Sequence, residues 1–222
     1  MSRPIRILLF VAVLGLACSA GAMIMVLLNK PSTRSVNTQT ESSPIAVSEM
    51  GLRILPFELT DQDGSTEDES LLEGHWTLAE FIFTNCPGAC PVMTARMSAA
   101  AEQLTDSPLR YLSFSLDAER DTPEQLRTFA QNYDIDSDKW TLLTGDDSQV
   151  RKMVEEGLML IIDKESTNEI TLADGSTMKN ITHPTRLFLV GPDLRVMEMY
   201  DSGDPAEVDR IVSDARRLIG GN

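Results

Sequence analysis

Hydrophobic and polar positions divide this chain into three unlike stretches. Residues 7–28 are apolar or small and carry no charge. As a helix they would span about 33 Å, enough to cross a bilayer, so residues 1–30 read as an N-terminal transmembrane anchor. Residues 31–50 are rich in Ser, Thr, Asn and Gln, the pattern of a flexible tether. From residue 51 to 222, short apolar runs alternate with amphipathic ones between turn signals. That is the pattern of an α/β layered domain.

Within that domain, residues 76–83 form the strongest predicted strand, mostly apolar as in a central strand buried on both faces. Residues 56–64 predict a short strand ending in an Asp/Gly turn, and 109–116 and 140–144 predict two more strands. Residues 91–104 predict a helix with Pro91 in its first turn. Thr122 is the predicted N-cap of the next helix, Pro123 its first residue and Gln125 the partner in a capping box; this helix runs to about Tyr133. Residues 147–156 are predicted helical. Residues 159–183 are polar and turn-rich, with a hairpin signal at Asp174-Gly175. Strands at 185–190 and 195–200 flank Gly191-Pro192-Asp193, and a last helix follows Asp204-Pro205 to about Leu218.

Charge narrows the partners. The 222-residue chain has a net charge of −15. Without residues 1–30, which hold Arg3, Arg6 and Lys30 and no acid, the remainder carries −18. Such a surface argues against nucleic acid and against docking on anionic headgroups. Arg3 and Arg6 favour an N-terminus left in the cytoplasm, a bias that Lys30 weakens. Two other readings of the N-terminus remain, a cleaved signal peptide and a lipoprotein signal that acylates Cys18. All three put the domain outside the cytoplasm.

The chain has three cysteines, Cys18, Cys86 and Cys90. The last two stand four residues apart where the 76–83 strand turns into a helix, which suggests a thioredoxin-like arrangement. Two sulfurs at that spacing can close a disulfide or grip one soft metal ion. A place at a helix start favours an ionised Cys90. Three residues lie between the cysteines where the usual redox motif has two, and Gly88 can absorb an unusual backbone. The chain offers two histidines. His75 reads as a surface turn. His183 lies in the loop before a strand that should neighbour residues 76–83, and in a thioredoxin-like sheet that loop faces the cysteine turn. Two thiolates and an imidazole make a soft set suited to copper, whereas zinc normally wants a fourth ligand. Met93 and Met97 share the helix face of Cys90, a stripe that reads as core.

These residues line up with a family. Residues 81–87 with Cys90-Pro91, residues 115–123, the stretch 140–145 and the His183 segment resemble the SCO/SenC proteins in order and spacing. Those are membrane-anchored, thioredoxin-fold proteins of cytochrome oxidase assembly. The resemblance implies a central mixed sheet flanked by helices and a copper site formed by Cys86, Cys90 and His183. It implies delivery of copper to the dinuclear CuA centre of cytochrome c oxidase, or reduction of that centre's cysteines. The partner is then the CuA-bearing subunit or another periplasmic copper protein, met from an inner-membrane anchor on the periplasmic side. Asp117 matches an acidic residue near the family's site, a candidate for a supporting or partner-facing role. The Glu119-Arg120-Asp121 charges read as a local ion-pair cluster. The chain departs from the family at Gly88, where an acid is usual, and at Pro184, where a small hydroxyl residue is common and a cis bond is conceivable. A thiol–disulfide oxidoreductase using Cys86 and Cys90, and a module that senses or holds copper without passing it on, are the competing functions.

Overall fold

The computed structural model describes residues 46–172 and 174–220. The apolar stretch 7–28, Cys18 and nearly all of the tether lie outside the described residues. Among the described residues, no helix is long and apolar enough to cross a membrane.

One seven-stranded mixed sheet organises the domain. Its strands are β1 (Glu58–Asp61), β2 (Thr66–Asp68), β3 (Thr77–Ile82), β4 (Arg110–Ser115), β5 (Trp140–Gly145), β8 (Arg186–Val190) and β9 (Val196–Asp201). They lie side by side in the order β2-β1-β5-β4-β3-β8-β9. β3, β4 and β5 run parallel, as strands joined by helical crossovers do. β1, β8 and β9 run antiparallel to their neighbours. Residues 169–179 form a separate hairpin of β6 (Glu169–Thr171) and β7 (Thr177–Lys179) around the Asp174-Gly175 turn. Two short elements differ from the pattern-based reading. β2 is a three-residue strand with no buried side chain, so alternation gives no sign of it. Helical structure from Asp147 ends in a wide turn at Met153–Gly157.

The helices are α1 (Ala89–Gln103), α2 (Pro123–Asn132), α3 (Asp147–Lys152) and α4 (Glu207–Ile219). α1 buries Cys90, Met93, Thr94, Met97 and Ala100, spaced as one helical stripe. It packs on β3 and β8 and against α4. Both methionines are fully closed off, so they fill core. Thr122 caps α2 as its sequence predicts, accepting the Gln125 N–H at 3.3 Å, with Pro123 in the first turn. All six residues of β3 are buried, the signature of a central strand covered on both sides. Phe81 stacks on Phe114 of β4 at 5.2 Å and meets Phe188 of β8 edge-on at 5.8 Å. These three rings tie the middle strands together.

Candidate metal centre

The end of β3 and the start of β8 build the site. β3 and β8 pair antiparallel with Thr77 opposite Val190 and Ala79 opposite Phe188. These rungs stop at Ala79 and Phe188, short of Phe83 and His183. The His183 ring lies edge-on to Phe83 at 5.8 Å. The loop before β8 therefore meets the cysteine turn, as the sequence predicts for His183.

Three donor atoms converge there. The sulfurs of Cys86 and Cys90 and a ring nitrogen of His183 lie within 4.8 Å of one another. His183 Nε2 is 3.5 Å from Cys90 Sγ. His183 Nδ1 is 3.0 Å from the Pro184 carbonyl oxygen. A carbonyl oxygen only accepts, so Nδ1 carries a proton, and Nε2 is the ring nitrogen turned toward the cysteine sulfurs. Among the described residues this is the one cluster of at least three His, Cys, Asp or Glu side chains arranged to hold a metal. Two sulfurs and a nitrogen fit a soft ion and leave zinc one donor short of its usual four. Every described peptide bond is trans, His183–Pro184 included.

The two cysteines differ, and in the opposite sense from the helix-start expectation. Cys90 has no exposed surface. Its thiol is pushed far up, first by burial, then by its hydrogen bond to Cys86 and by the Cys86 charge. Cys86 is half-buried, and its thiol is held down at about 4. The chief cause is the hydrogen bond from Cys90, aided by His183 and by the backbone N–H groups of Cys90 and Gly88 against the cost of burial. The Cys90 N–H lies 3.4 Å from Cys86 Sγ. The unpaired N–H groups at the start of α1 thus serve the sulfur outside the helix. Burial overrides them for the sulfur inside it. Gly88 is the N-cap of α1, without a side chain to accept those N–H groups.

Asp117 is buried and ion-paired to Arg120 at 3.1 Å, and its N–H donates to Ser115 Oγ. It lines an open groove of about 440 Å³ with Arg120, Lys164 and Lys179, a groove that none of the three donors lines. His75 occupies a turn, its N–H donating to the Leu72 carbonyl. Glu80 escaped the sequence reading, and Asp121, read as part of an ion-pair cluster, turns away from Arg120. Glu80, inside β3, is fully buried; it accepts hydroxyl hydrogens from Ser113 at 2.8 Å and Thr94 at 3.2 Å. Burial pushes its carboxyl up to about 8 against those two bonds, and its second oxygen has no partner. Asp121 is fully buried and accepts from Thr84 and Ser115. Burial raises its pKa, opposed by those same bonds. Two local signs point to Glu80: it is a lone acid within an apolar strand, and Thr94 stands one turn beyond Cys90.

Comparison with known proteins adds a family context. A family model described as SCO1/SenC matches residues 48–220. The SCO1 protein homolog of Bacillus subtilis (strain 168) is 33% identical over 170 residues, covering 75% of this chain and 83% of that protein. BsSco is a member of the Sco family of cytochrome c oxidase assembly proteins in which a disulfide switch has been identified. Its structure superposes with a TM-score of 0.63 at 30% identity, over 78% of this chain and 96% of that one. ScoI of Bradyrhizobium japonicum, solved with copper bound, shares the fold with a TM-score of 0.58 at 24% identity, over 74% of this chain and 98% of that one.

Proposed function

The chain belongs to the SCO1/SenC family, and we propose that it carries copper on Cys86, Cys90 and His183 and passes it to an acceptor protein. The observation behind this reading is the convergence of two sulfurs and one imidazole nitrogen within 4.8 Å. Copper is cargo here rather than a resident cofactor. Cys86, half-buried and ionised, is the donor that an incoming ion or an acceptor's ligand reaches first. Cys90 must give up its proton before its sulfur can bind, so loading releases acid. His183 supplies the third donor, already oriented by its bond to Pro184.

The acceptor in this reading is the CuA-bearing subunit of cytochrome c oxidase, or another periplasmic copper protein. The sequence resemblance supports it, as does the likeness to BsSco, an oxidase assembly protein. Residues 7–28, or a lipid on Cys18, hold the domain at the inner membrane on its extracytoplasmic side. Asp117 serves at most as a partner-facing charge beside the site.

A second reading, thiol–disulfide exchange with a partner's cysteines, draws on a separate observation. A half-buried low-pKa thiolate beside a buried, protonated thiol is the pairing of an attacking and a resolving cysteine. Anaerobic titration of the reduced protein with Cu(I) and Cu(II), alongside a measured reduction potential, tests both. Tight binding of one copper per chain supports the carrier; negligible binding with ready disulfide turnover supports the oxidoreductase and sinks the carrier.

A further inference from the structure

Asp121 stands in sequence beside Glu119 and Arg120, yet the structure separates it from them. Arg120 pairs with Asp117 at 3.1 Å and Glu119 at 3.4 Å. Asp121 faces inward, with no exposed surface. Its carboxylate gathers three donors: Thr84 Oγ1 at 2.5 Å, Thr84 N at 3.1 Å and Ser115 Oγ at 2.6 Å. Ser115 Oγ in turn accepts the Asp117 N–H at 3.1 Å. One buried carboxylate thus fastens the end of β3 to the end of β4, two residues before Cys86.

We propose that Asp121 is a positioning residue for the cysteine pair, clamping Thr84 so that Cys86 and Cys90 stay open as a dithiol and the disulfide is disfavoured. The sulfurs of Cys86 and Cys90 lie within 4.8 Å of each other, unbonded. A disulfide brings the sulfurs to about 2.05 Å and the Cβ atoms to about 3.5–4.5 Å. Cys90 is fixed by α1, which begins at Ala89. Closure therefore falls on the segment carrying Cys86, and the clamp holds that segment at its root. Charge matters as well as shape. All three neighbours donate, so an amide at position 121 would turn its NH2 toward a donor and lose at least one bond.

The proposal rests on Cys86 and Cys90 as the working pair, and not on copper. Its test is the equilibrium with glutathione, using the full-length chain with Cys18→Ala so that two thiols remain. The Cys86 thiolate attacks the glutathione disulfide and expels one glutathione thiolate. Cys90 then loses its proton and attacks the Cys86 sulfur, expelling the second. The protein loses two electrons to the glutathione disulfide. The two glutathione thiols take up the Cys90 proton and one from buffer.

Asp121→Asn should shift this equilibrium about tenfold toward the protein disulfide, the scale of losing a hydrogen bond to a charged group. Thr84→Val, which removes only the hydroxyl, should shift it the same way by less, and Thr84→Ser should restore it. An unchanged or opposite shift in both Asp121→Asn and Thr84→Val overturns the proposal. If Asp121→Asn fails to fold, the Thr84 pair decides alone. Copper titration of the same proteins separates the two readings. A chain that binds no copper but shows the shift refutes the carrier and upholds the clamp.

Discussion

The backbone N–H of Cys90 points at the Cys86 sulfur from 3.4 Å, so one cysteine stabilises the charge of the other. The helix that buries Cys90 presents its free N–H groups outward, to Cys86. The pair is therefore polarised before any metal or partner arrives, with charge on the half-buried sulfur and the proton on the hidden one.

Alkylation should read this polarity directly. Iodoacetamide should modify Cys86 well before Cys90 in the folded protein. The Cys86 rate should rise as pH passes about 4 and be flat near neutrality, because the thiolate fraction is then already complete. Mass spectrometry of the modified peptide checks it; preferential labelling of Cys90 would contradict the assignment.

Replacing His183 with Ala removes the third donor and leaves the cysteine turn in place. Copper affinity should fall by more than the roughly 10–100-fold typical of losing an outer partner of a metal ligand. Exchange with glutathione should persist. A competition titration against a copper chelator gives the affinity, and an unchanged value would remove His183 from the site.

Glu80 predicts a pH dependence of stability. Its folded pKa is raised, to about 8, above its unfolded value. The folded state therefore holds a proton that the unfolded state releases, and stability falls as pH rises between the two values. Below the unfolded pKa this contribution is fully present; above about 8 it is gone. Urea midpoints of the wild type should drop from pH 5 to pH 8, and Glu80→Gln should flatten that drop by an amount on the order of a few kcal/mol at most. The comparison uses the slope, since the buried amide carries its own cost at every pH. An equal slope in both proteins would refute it.

Much of the site could be read from residue order because its logic is local or repeats down the sheet. β3 declared itself as an apolar run, and the cysteine turn as a Pro/Gly break between that run and a helical stripe. His183 followed from which strand must neighbour β3. What escaped depends on side-chain direction. Glu80 sits in a run whose alternation says nothing about faces, since both faces are covered. Asp121 sits in a charged string, and only the fold decides that Arg120 turns to Asp117 while Asp121 turns inward to Thr84 and Ser115. The ionisation expected of Cys90 failed for the same reason. Its helix-start position was correct, but full burial of its sulfur outweighed the N–H groups.

Gly88 offers a graded test of the electrostatics. A Cβ added there would meet no atom within 4 Å, and its φ of −133° suits an L-residue. Gly88→Asp should place a carboxylate beside the Cys86 thiolate and raise that thiol's pKa. As an N-cap, the same side chain should add a few tenths of a kcal/mol to stability. Thiolate absorbance against pH and a urea titration read the two effects separately; a lowered Cys86 pKa would contradict the expected repulsion.

The three donors are far apart along the chain, Cys86 and Cys90 within one turn and His183 some 93 positions after Cys90. Only the β3–β8 seam joins them. An unfolded chain therefore offers a soft ion two adjacent sulfurs and nothing more; the third donor arrives with a long-range pairing, the slow kind to form. If the proposed site holds an ion, the seam is its latch, and tight retention reports that the sheet has closed. In the proposed carrier, parting the His183 loop from Phe83 would release the ion at one corner while the rest of the domain stayed folded.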